Sequence, residues 1–120
     1  MTNHKELVVV VEDEEEARDS LIQILEGEGF RALGFANGAE ALGHLKHSEK
    51  PCLILLDIRM PIMDGPQFRS ALLLDPGLAE IPVVIITALE EAAAAGLSAV
   101  EVFTKPVNVD ALVSVIRQRC

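Results

Sequence analysis

Several short apolar runs in this 120-residue chain lead straight into a residue that can do chemistry. Cys52 to Leu56 ends on Asp57, and Leu7 to Val11 is followed at once by Glu12 and Asp13. Val83 to Ile86 leads into Thr87, and Val100 to Thr104 into Lys105, which precedes Pro106. Three carboxylates brought close together repel unless a proton or a cation offsets their charge. A hard, oxygen-seeking ion such as Mg²⁺ does this while keeping waters and open positions for a phosphate ligand. A hydroxyl and an ammonium beside such a group can hold phosphoryl oxygens, leaving a carboxylate free to act as nucleophile and form an acyl phosphate.

This chemistry requires the four runs to present their carboxyl ends on one side of a sheet. A continuous Ile/Leu run such as Cys52 to Leu56 reads as a strand covered on both faces, and open α/β sheets gather ligands just beyond the carboxyl ends of such strands. Five strand-like runs are expected: Leu7 to Val11, Phe30 to Phe35, Cys52 to Leu56, Pro82 to Ile86 and Val100 to Thr104. Helical patterns separate them. Ala17, Leu21, Ile24 and Leu25 repeat at helical spacing ahead of Gly27 and Gly29, and Asn37 is suited to cap a second helix carrying Ala41, Leu42 and Leu45. A third helix is expected from Asp64-Gly65 to about Asp75-Pro76-Gly77, and a fourth around Ala92 to Ala95. A fifth should start at Asn108 and bury Leu112, Val113 and Ile116. Strict strand-helix alternation with short connections predicts an α/β fold, a five-stranded parallel sheet with right-handed crossovers and helices on its faces.

The totals limit what such a fold can carry. A chain of this length makes one domain, residues 1 to 120, and leaves no length for a fused output unit. It therefore acts alone or is a piece of a longer protein. A net charge of −9, with no Trp or Tyr, argues against direct nucleic-acid binding and favours a protein partner. The apolar runs are strand-length, short of the ~20 residues of a membrane helix, and the amino terminus lacks the long apolar stretch of a signal peptide. A cytoplasmic location is expected. Cys52 and Cys120 form neither a disulfide framework nor a metal-binding pattern, so both are expected to be reduced thiols.

The same residues resemble a known family over essentially the whole chain. Glu12-Asp13 after the first strand, Asp57 with Met60-Pro61-Ile62-Met63-Asp64-Gly65 after the third, Thr87-Ala88 after the fourth and Lys105-Pro106 after the fifth are similar to the receiver domains of two-component response regulators. That resemblance implies a doubly wound, CheY-like (flavodoxin-like) sheet with strand order 2-1-3-4-5. It implies that Asp57 is the phosphoacceptor, that Asp13 and Asp57 bind Mg²⁺ directly, that Glu12 does so through water, and that Arg59 contributes its backbone carbonyl. Thr87 and the amide of Ala88 would bind the phosphoryl group, and Lys105 would pair with it, held by a cis bond to Pro106. The implied partners are a histidine kinase or phosphotransfer protein, a downstream protein target or fused output domain, and a second copy in a phosphorylation-linked dimer. No membrane is implied. Chemistry of its own would be limited to self-phosphoryl transfer and autodephosphorylation.

Two departures bear on how a signal would leave the site. The family's usual aromatic residue, three positions before the lysine, is Val102 here, and the adjacent Phe103 should face the opposite side of the strand. The segment from Thr87 to Lys105 is also about four residues short, roughly one helical turn. Phosphoryl chemistry is thus expected to be retained while the readout is altered. A receiver-like interaction domain that no longer switches by phosphorylation stays open as an alternative. An aspartyl-phosphate phosphohydrolase is disfavoured, because its second acid, two residues after the nucleophile, is replaced by Arg59. Glu14, Glu15 and Glu16 read as an acidic helix start, Asp64-Gly65 as a turn, Met60 and Met63 as packing, and His4, His44 and His47 as solvated side chains.

Overall fold

The computed structural model describes residues 6–57, 65–87 and 101–120. In chain order the elements are β1 (Leu7–Val11), α1 (Glu15–Gly27), β2 (Arg31–Phe35), α2 (Gly38–Leu45), β3 (Leu53–Asp57), α3 (Gly65–Leu74), β4 (Val83–Thr87), β5 (Glu101–Thr104) and α4 (Val109–Arg119). All strand pairs are parallel, with Val8 opposite Ala32 and Leu53, Leu55 opposite Val84, and Ile86 opposite Phe103. The order β2-β1-β3-β4-β5 puts β1 between β2 and β3. The sheet is wound outward in opposite directions from β1 and β3, which makes the crevice beyond the carboxyl ends of those two strands the topological switch point.

Alternation along the strands divides the core into two layers. Val9, Val11, Ile54, Leu56, Val83 and Ile85 face one way and pack with Ala41 and Leu45 of α2 and Phe68 and Leu72 of α3. Val8, Val10, Leu53, Leu55, Val84 and Ile86 face the other way and pack with Leu25 of α1 and Leu112 and Ile116 of α4. Every residue of β1, β3 and β4 is buried, as a strand covered on both faces requires. Phe103 packs onto the second layer while Val102 stays exposed, so the two adopt the opposite facings that strand alternation predicts.

The helix ends follow their local chemistry. The side chain of Asn37 accepts from the Glu40 amide (2.9 Å) and that of Asn108 from the Ala111 amide (3.0 Å), each satisfying a first-turn donor. α1 stops at Gly27, and Gly29 turns the chain toward β2 with φ +95°, a conformation that suits glycine. α4 is the helix expected from Asn108. The expected fourth helix around Ala92 to Ala95 lies outside the described residues.

Two sequence expectations are corrected. Cys52 and Cys120 are not free thiols: they form a disulfide with their Cα atoms 5.5 Å apart, within the normal range. The parallel topology brings the start of β3 and the end of α4 to the same edge of the molecule, a proximity that a separation of 68 residues does not reveal. His44 is half-buried and tilted against the Phe35 ring at 5.1 Å instead of being fully solvated.

Candidate functional site

β1 delivers Glu12 to the switch point. The Glu12 amide continues the sheet ladder by donating to the Phe35 carbonyl (3.0 Å), which fixes the backbone where the strand ends. Its carbonyl accepts from Arg18 Nη1 of α1 (2.9 Å), and its carboxylate accepts from the Glu14 amide (3.2 Å). Glu12 is buried, and Asp13 beside it is exposed. Asp57 is the last residue of β3 and is buried opposite Ile86 of β4. Carboxylate oxygens of Glu12, Asp13 and Asp57 lie within 4.8 Å of one another.

β5 supplies the cation. The Lys105 amide donates to the Thr87 carbonyl (2.8 Å), and its Nζ lies 3.3 Å from Glu12 Oε1 and 3.6 Å from Asp57 Oδ2. The Lys105-Pro106 peptide is cis, as the family resemblance implies. Thr87 closes β4 and is fully buried, and its Oγ1 has no hydrogen-bond partner among the described residues. An unmet buried hydroxyl costs about 1–3 kcal/mol. An incoming oxygen acceptor would recover that cost.

The electrostatics follow from this crowding. Burial, and then the neighbouring charge of Asp57, push the Glu12 carboxyl from its ordinary 4.5 up to about 7. For Lys105, burial opposes the charged form, but the carboxylates of Asp57 and Glu12 outweigh it and hold the ammonium above the usual lysine range. The site is thus short of positive charge. Three clustered carboxylates with one ammonium form an all-oxygen donor set suited to a hard divalent cation. A cleft of about 300 Å³ leads away from it, walled by Ala17, Leu21 and Ile24 of α1 on one side and Pro106, Val107 and Val109 on the other.

The residues singled out from sequence are therefore brought together where they are described: Glu12, Asp13, Asp57, Thr87 and Lys105. Arg59 and Ala88 lie outside the described residues. Sequence reasoning did not single out Arg18, which anchors the Glu12 carbonyl. The signal that could have found it is Gly34, an isolated glycine in a strand, which marks a close approach by a neighbouring element. A Cβ at Gly34 would stand 2.7 Å from Ile22 Cδ1 and 3.0 Å from Arg18 Cγ and Cδ.

Comparison with known proteins agrees with this geometry. The family model described as "Response regulator receiver domain" matches residues 8–117. The C4-dicarboxylate transport transcriptional regulatory protein DctD of Rhizobium meliloti is 37% identical over 81 residues, covering 67% of this chain and 17% of that protein. The polar-differentiation response regulator DivK of Brucella anthropi is 36% identical over 81 residues, covering 68% of this chain and 65% of that protein. The chain thus spans less than two thirds of the length of either curated relative. The signal receiver domain of a signal transduction histidine kinase from Syntrophus aciditrophicus superposes with a TM-score of 0.86 at 30% identity, over 95% of this chain and 89% of that one. No helix among the described residues is long and apolar enough to cross a membrane. With the matched family model covering nearly every strand and helix that builds the acidic crevice, the chain belongs to the response-regulator receiver domains, the phosphorylation switches of two-component signalling.

Proposed function

We propose that Asp57 accepts a phosphoryl group from a histidine kinase or phosphotransfer protein in the cytoplasm, and that the acyl phosphate shifts a protein-interaction surface. The observation that carries this reading is the position of Lys105 Nζ, 3.6 Å from Asp57 and 3.3 Å from Glu12 within a three-carboxylate cluster. A carboxylate oxygen of Asp57 attacks phosphorus, the bond from phosphorus to the donor breaks, and the donor leaves with its electron pair and takes up a proton. Lys105 meets the charge that grows on the phosphoryl oxygens, and the Thr87 hydroxyl donates to one of them along with the amide of Ala88. Mg²⁺, when bound, supplies positive charge against the carboxylates and the phosphoryl group. Asp13, Asp57 and the carbonyl of Arg59 would hold it directly, and Glu12 through a water. Autodephosphorylation reverses the gain when water attacks phosphorus and Asp57 departs as the carboxylate.

The readout differs from the usual relay. Val102 is exposed at the position of the family's aromatic switch, and Phe103 is committed to the inner layer against α4. Movement at Thr87 therefore reaches the surface by repacking β5 and the adjoining chain, not by rotation of an aromatic ring. Downstream, the surface engages a protein target or an output domain on the same polypeptide.

Incubation with Mg²⁺ and acetyl phosphate, followed by intact mass measurement, tests the chemistry. The expected result is a gain of one phosphoryl group that is abolished by EDTA and by Asp57→Ala. Failure to gain mass with acetyl phosphate, phosphoramidate and a phosphorylated histidine phosphotransfer domain would overturn it in favour of a domain that no longer switches by phosphorylation.

A further inference from the structure

We propose that Cys52 and Cys120 are a reversible redox site, exchanging with low-molecular-weight thiols and disulfides to fasten or release the carboxyl end of α4 at the amino end of β3. This site is independent of the phosphoryl chemistry. It lies at the opposite end of β3 from Asp57, a full strand length away.

The two cysteines sit in unequal settings. Cys52 is half-buried on the strand side, its amide held by the Leu7 carbonyl (2.8 Å) at the edge of a ladder whose strands are wholly buried. Cys120 is exposed on the helix side, its amide bonded to the Ile116 carbonyl (2.9 Å). Around it, the last turn of α4 is tied down mainly through Arg117, which bonds the Glu28 carbonyl (3.1 Å) and carboxylate (2.7 Å) and lies over the Phe30 ring at 5.4 Å. These are exposed polar contacts, weak beside the burial of Ile116 and Leu112, one and two turns before Cys120. The reactive sulfur therefore belongs to the more loosely held partner. Solvent exposure lets a small thiol reach it, and accessible disulfides are the labile ones. In the cytoplasm proposed above, a persistent disulfide is unusual and a redox-responsive one is the common exception.

The exchange balances. In the reduced chain the Cys120 thiolate attacks one sulfur of a small disulfide such as oxidised glutathione, forming a mixed disulfide and releasing one thiolate. The Cys52 thiolate then attacks the Cys120 sulfur and expels the second. Two protein thiols are oxidised, the small disulfide is reduced to two thiols, and the protons from the cysteines end on them. Reduction by excess glutathione runs the same steps backwards. The effect falls on the last turn of α4, while buried Leu112 and Ile116 keep the earlier turns of the helix on the sheet.

The test is to equilibrate the native chain in glutathione buffers of graded ratio, trap free thiols with N-ethylmaleimide, and read adducts by intact mass. The expected result is a monomer that passes from two adducts to none over one cooperative two-electron transition. The melting temperature of the oxidised form should stand about 10 °C or more above that of the reduced form. Cys120→Ser, a change at an exposed position, should melt with the reduced form and show no response to reductant. Three results would each overturn the proposal: two adducts at every glutathione ratio, a disulfide that resists 10-fold excess dithiothreitol in the folded protein, or oxidation that yields covalent dimers.

Discussion

Replacing Glu12 by Gln should change how stability depends on pH in a direction that the geometry dictates. The Glu12 carboxyl titrates near 7 in the folded chain against 4.5 when free of its surroundings. Between those values the folded chain holds a proton that the unfolded chain has lost, so stability falls as pH rises through that window and levels off above it. A displacement of that size corresponds to roughly 3 kcal/mol, a large part of the 5–15 kcal/mol that holds a typical domain together. Gln keeps the shape and the neutral state of the buried side chain and cannot ionise. At pH 4.5 the variant should match the wild type; at pH 8, without metal, it should be more stable by about 2–3 kcal/mol. The contact with Lys105, a side chain 39% exposed, is already among the influences that set that value and is not subtracted again. The assay is urea unfolding of both proteins in EDTA at pH 4.5, 6 and 8, with the difference between them taken at each pH so that other titrations cancel. A difference that does not vary with pH, or one that favours the wild type increasingly toward pH 8, would refute the reasoning.

Three other perturbations probe separate parts of the structure. Lys105→Met removes the ammonium facing Asp57 and Glu12 and should slow phosphoryl uptake from acetyl phosphate by about 100-fold, measured by the rate of mass gain. Gly34→Val places carbon 2.7 Å from Ile22 Cδ1 and against Arg18. It should cost about 1–3 kcal/mol in urea unfolding and weaken Mg²⁺ binding, since a displaced Arg18 releases the Glu12 carbonyl. Asn37→Ala should lower stability by about 1–2 kcal/mol with an unchanged urea m-value, because the Glu40 amide loses its acceptor at the start of α2.

The cluster of Glu12, Asp13, Asp57, Thr87 and Lys105 could be read from sequence because parallel strands leave little freedom: a residue at the end of each apolar run must emerge on the same side of the sheet. The opposite facings of Val102 and Phe103 were readable for a similar reason, the period of two along a strand. Two other features depend on distances that periodicity does not carry. Arg18 on the polar face of α1 looks like any solvated arginine until the helix is laid on Gly34, which lets it approach closely enough to reach Glu12. Cys52 and Cys120 look like unrelated thiols until the winding of the sheet carries α4 back to the start of β3. His44 likewise packs where β2 presents the Phe35 ring beside it.

The parallel pairing of every strand also sets the order in which the molecule can assemble. No two adjacent strands are joined by a hairpin, so each ladder forms only after a helix-length segment has closed into a loop. The shortest such closure joins Val84 to Glu101 and the next joins Leu7 to Arg31 across α1, whereas the central pairing of Val8 with Leu53 must span β2 and α2 as well. Loop closure therefore favours the two outer pairings, β1 with β2 and β4 with β5, and the pairing of β1 with β3 that joins the two halves of the sheet is the costliest to close.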